Sequence, residues 1–89
     1  MSNTKLNSFL SSFSEEAQQQ LKQQAETIKP IIEEIHKHQA TGQNYYSDYM
    51  RVIGLLMNKR PNIKPKTWGV LFLIAGANPI GVEHAVNNL

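Results

Sequence analysis

Leu6, Leu10, Phe13, Ala17, Leu21, Ala25, Ile28, Ile32 and Ile35 follow one another at intervals of three or four residues. Only a helical turn of 3.6 residues puts such a series on one face, so the first forty residues are committed to helix. Ser11, Ser12 and Ser14 interrupt the stripe with side chains suited to cap a new helix, and Ser12 with Glu15 has the spacing of a capping box. The pattern predicts a short helix at about 4–11 and a long one over 14–39. Pro30 falls inside the second. It removes a backbone donor and crowds the preceding turn, yet the stripe keeps its phase from Ile28 to Ile32 to Ile35. One helix kinked at Pro30 is expected, in preference to a restart with proline in a first turn. The glutamines between 18 and 24 lie off the stripe and read as a solvated face. Thr41-Gly42-Gln43-Asn44 marks a loop at 40–44.

The second half repeats the helical period. Tyr46, Tyr49, Met50, Ile53, Leu56 and Met57 share a face, opposite Ser47, Arg51, Gly54 and Asn58. Arg60-Pro61 ends that helix. The segment near 67–77, with Trp68, Val70, Leu71, Phe72, Leu73 and Ile74, is apolar all round. No other segment alternates with period two to partner a strand, so this one is expected to be a buried central helix. Asn78-Pro79 then combines a preferred N-cap with a preferred first helical residue, and Val82, Ala85, Val86 and Leu89 follow at helical spacing. The expected architecture is all-α: one domain over 1–89, a bundle of four to five helices, with amino-terminal helices at 4–39 and carboxy-terminal helices at 45–89.

Composition narrows the chemistry. The 89 residues contain no cysteine, which excludes a disulfide scaffold, a thiol nucleophile and sulfur-ligated metal. His36 and His38 are two apart and point in different directions around a helix, so they do not form the pair of ligands that a spacing of three or four allows. His36 with Glu33 is a weak local pair, and a surface role is expected for it. Gly76-Ala77-Asn78-Pro79-Ile80-Gly81 follows no strand and ends in no lysine, so it is a turn rather than a phosphate cradle. No catalytic residue, cofactor site or metal site is expected, and the chain is read as non-enzymatic. The amino terminus lacks a basic stretch followed by an apolar one, and the longest apolar run, Gly69 to Ala77, is about half of the roughly 20 residues a membrane span needs. A cytoplasmic location and no membrane partner are the corresponding expectations.

The net charge of +2 is unevenly placed. Lys59, Arg60, Lys64 and Lys66 crowd a short two-proline linker, while the first half is slightly acidic. Two function classes follow. The stripe from Leu6 to Ile35 would span roughly 45 Å at 1.5 Å per residue, longer than the other helices are expected to cover. Exposed apolar surface of that extent calls for another chain. Phe9, Phe13, Leu21, Ile28 and Ile32, with a second patch of Tyr45, Tyr46 and Tyr49, are the expected partner-binding residues, and the partner is a second copy or a larger protein. The alternative is a small DNA-binding regulator with a helix-turn-helix at 67–88, in which Gly76 occupies the turn and Val82 supplies the apolar contact. Lys59, Arg60, Lys64 and Lys66 would then approach phosphates, and His84, Asn87 and Asn88 would face bases. Against it stand the absence of Arg or Lys from the reading helix, the acidic Glu83 near its start, and bulky Phe72 where the two helices cross. Interaction with protein is the preferred reading.

Overall fold

The serines after the first helix decide where the long helix begins. In the computed structural model, which describes residues 5–38 and 45–89, α1 runs Lys5–Ser11 and α2 runs Glu15–His38. Ser12 Oγ donates to the Phe9 carbonyl at 2.6 Å and closes α1. Ser14 is the cap of α2: its Oγ accepts from the Ala17 N–H at 3.1 Å. The Ser12–Glu15 capping box is therefore replaced by a cap two residues later. Glu15 and Glu16 in the first turn, and Lys37 in the last, complement the helix dipole at both ends.

Pro30 sits within α2 without ending it. Its ring is exposed, and Glu26, whose carbonyl lacks the usual donor four residues on, is exposed as well. The freed carbonyl thus has access to water, and proline is tolerated there. Leu21, Ala25, Ile28, Ile32 and Ile35 are buried on the opposite side.

The remaining helices are α3 (Tyr46–Lys59), α4 (Pro65–Ile74) and α5 (Pro79–Asn87). The proposed loop at 40–44 lies outside the described residues. The described residues form helices and turns and no strand, so the fold is all-α. Its radius of gyration is 12.2 Å, as compact as a globule of this length should be, about 12 Å.

Helix α4 is the hub and packs against each of the other four. Five consecutive residues, Trp68 to Phe72, are buried, which only a helix covered on all sides allows. It begins at Pro65, with proline as its first residue, and ends at Ile74 rather than 77. The early end has a clear cause. Gly76 adopts φ 101°, its N–H donates to the Leu73 carbonyl at 3.1 Å, and the Ala77 N–H donates to the Phe72 carbonyl at 2.9 Å. This is a Schellman motif, which needs a left-handed residue and finds glycine there. Asn78 then caps α5, its side-chain oxygen accepting from the Gly81 N–H at 3.1 Å, and Pro79 is the first helical residue.

From Leu21 to Ile35 the apolar stripe is covered within the chain. Because the chain breaks at Ser12–Ser14, α1 packs separately on α4. The buried part of α2, Leu21 to Ile35, is then roughly 21 Å long at 1.5 Å per residue. That length falls within reach of α4 and its neighbours.

Candidate interaction site

Helices α2 and α3 both rest on α4, with little direct packing between them. A groove follows. At one end Tyr49, fully buried on α3, joins the two helices: its hydroxyl lies 2.6 Å from His36 Nε2 and accepts from the Asn78 N–H at 2.8 Å. The Tyr49 hydroxyl therefore has two partners at once, the His36 ring and the Asn78 backbone. Burial holds the Tyr49 phenol above its ordinary value of 10.0. Tyr45 and Asp48 add to the shift, and the Asn78 N–H opposes it. Tyr45 precedes α3 with φ 59°, the only positive φ among the described non-glycine residues, and its ring lies 4.3 Å from that of His36.

Beyond this cluster the groove opens into a cleft of about 450 Å³. Pro30, Ile31 and Ile35 line it from α2 and Val52 from α3, with Glu34, His38, Asp48 and Arg51 around them. The charged side chains are paired along their own helices, Glu34 with His38 at 2.7 Å and Asp48 with Arg51 at 3.5 Å. Further along, sharing Ile31, a second cleft of about 470 Å³ reaches Lys59, Arg60 and Trp68.

The residues expected to bind a partner divide into two sets. Leu21, Ile28, Ile32 and Tyr49 are only 6%, 3%, 2% and 0% exposed. They form this chain's own core, and the expectation that they lie uncovered is corrected: α4, apolar on every side, covers them. Phe9 and Phe13 are half-buried, packed edge to face with ring centres 5.0 Å apart. Tyr45 and Tyr46 are also half-buried, Tyr45 against His36 and Tyr46 against His84 at 4.4 Å.

The residues of the DNA alternative are all exposed, but several are engaged within the chain. Lys66 Nζ lies 5.6 Å over the Phe9 ring, and the Asn88 amide donates to the His84 carbonyl at 2.8 Å. Lys64 precedes α4, where its carbonyl accepts from Thr67 and Trp68. The helix-turn-helix outline is present, with Gly76 in the turn and Val82 fully buried. Its outward face, however, is a shallow cleft of Ile80, Glu83, His84, Asn87 and Asn88, in which no lysine or arginine takes part. Lys59 and Arg60 border the second cleft of the α2–α3 groove instead.

Two features were not anticipated. His36 bonds across to Tyr49, not along its helix to Glu33, and it is half-buried. Ile31 and Val52, which line the groove, stand one residue beside core positions Ile32 and Ile53. An apolar residue adjacent to a stripe lies about 100° around the helix, at the edge of the buried face, and that was the available signal. Among the described residues no group of three or more His, Cys, Asp or Glu is placed to hold a metal ion, and no helix is long and apolar enough to cross a membrane.

The chain was compared with protein-family models, curated proteins and solved structures. It matches none of them.

Proposed function

We propose that this chain is a cytoplasmic, non-enzymatic interaction module that docks a second copy of itself through the α2–α3 groove. The observation that carries the reading is the apolar cleft of Ile31, Ile35, Val52 and Pro30, flanked by two acidic and two basic side chains. An apolar floor with a polar rim is the usual anatomy of a docking surface, and a groove between two helices suits a helix laid into it. In a two-fold contact each copy presents the same patch. The rim here, Glu34 and Asp48 with His38 and Arg51, offers hydrogen-bond acceptors and donors side by side. The absence of cysteine suits a reducing compartment.

Light scattering over a range of concentrations tests the reading. The expected mass rises from 10.1 kDa toward twice that value. Ile31→Asp with Val52→Asp keeps the mass at that of one chain, with helicity retained by circular dichroism. A wild-type chain that stays at 10.1 kDa throughout overturns self-docking. A parallel run with duplex DNA tests the regulator alternative, for which a salt-sensitive rise in mass is the required signature.

A further inference from the structure

The second cleft combines features that the docking reading does not use. Its walls come from three helices: Gln24, Thr27, Ile28 and Ile31 of α2, Leu56 of α3 and Leu71 of α4. Its volume of about 470 Å³ lies within the roughly 300–1,000 Å³ of small-molecule sites. The charged residues on its lining are Lys59 and Arg60, both cationic, and no carboxylate borders it. Arg60 leaves the helix at φ −133°, so two consecutive residues border one cleft. Neither has an ion pair among the described residues, although Lys29 and Arg51 each have one. Trp68, also on the lining, is 4% exposed, and its indole N–H is buried without a hydrogen-bond partner among the described residues. Leaving a buried donor unsatisfied is unfavourable, and native proteins rarely do so.

Walls with an apolar side and two cations without ion pairs describe the complement of one kind of ligand. We propose that this cleft binds an amphipathic carboxylate. Lys59 and Arg60 hold its anionic head, the guanidinium matching the two oxygens in one plane, and its apolar body lies against Ile28, Ile31, Leu56 and Leu71. The buried indole offers no open ring face for a base to stack on, so the cations are not part of a single-strand nucleic-acid surface. Only Ile31 is shared with the docking cleft, and the proposal stands apart from the self-docking reading.

Trp68 is the only tryptophan in the sequence, so its fluorescence reports on this wall alone. The full chain is titrated with octanoate, with octan-1-ol and with acetate. Octanoate is expected to change the emission saturably. Octan-1-ol, with the same apolar body and no charge, binds about tenfold more weakly, and acetate produces no change; one charge-assisted hydrogen bond accounts for such a ratio. Lys59→Ala with Arg60→Ala, both at exposed positions, brings octanoate down to the affinity of octan-1-ol and leaves the alcohol unchanged. Equal binding of acid and alcohol, an octanoate affinity indifferent to the two alanines, or no saturable octanoate signal overturns the proposal.

Discussion

Tyr49 of α3 and His36 of α2 meet at 2.6 Å, hydroxyl to Nε2, and the same hydroxyl accepts the Asn78 N–H at the start of α5. One buried oxygen thereby ties three helices. Its ring also packs edge-on against Phe72 of the central helix, with centres 5.7 Å apart. Polar groups this deep stabilise a fold only while each has its partner.

Tyr49→Phe keeps the ring and removes both hydrogen bonds, leaving the Asn78 N–H without its acceptor. The expected loss is about 1–3 kcal/mol of unfolding free energy, read as a lower urea midpoint at unchanged slope. A double-mutant cycle with His36→Ala should show coupling above about 0.5 kcal/mol. Strict additivity would mean that the 2.6 Å contact contributes nothing of its own.

The raised Tyr49 pKa makes a signed prediction. Burial favours the neutral phenol in the folded chain, so the unfolded chain, with its phenol at the ordinary 10.0, ionises first as pH rises. The contribution to stability is complete below pH 10 and is lost as pH climbs from there through the folded value. Urea unfolding from about pH 9 to 11 should therefore show a decline that is shallower in Tyr49→Phe. Parallel declines in the two proteins would remove Tyr49 as its source.

At Gly76 the conformation, not the space, resists substitution. A Cβ there would meet nothing within 4 Å, but φ is 101°. Gly76→Ala should cost about 1–2 kcal/mol, the penalty for an L-residue on the left-handed side, with the effect seen in thermal unfolding. Gly54 also has open space but no positive φ. Gly54→Ala lies inside α3, where alanine is the better helix former, and should stabilise by roughly 0.5–1 kcal/mol.

Core and surface apolar residues should separate cleanly. Ile28→Ala is expected to cost about 2–5 kcal/mol, and Ile28→Asp to abolish the helical signal, since an unpaired carboxylate would replace a buried side chain. Ile80, 65% exposed, and Leu55, 55% exposed, should accept serine within about 0.5 kcal/mol. A folded, helical Ile28→Asp chain would show that the α2 stripe is not the core.

Local periodicity carried the secondary structure of this protein. The steps of three and four residues foretold α2, Asn78-Pro79 foretold α5, and the run from Trp68 to Ile74 foretold a buried central helix, because each depends on side chains within one or two turns. The stops were harder to read. Ser14 caps α2 where the periodicity placed its start, whereas the Gly76 motif rests on which of several adequate residues the backbone takes and ends α4 at 74 rather than 77. What covers each apolar face is another matter. Leu21, Ile28 and Ile32 looked like surface in search of a partner because the sequence does not say that α4 crosses them. Only the crossing of helices far apart in the chain brought His36 to Tyr49 and Tyr49 to Asn78. The same crossing kept α2 and α3 apart over α4, and that separation opened the groove with Lys59, Arg60 and Trp68 at one end.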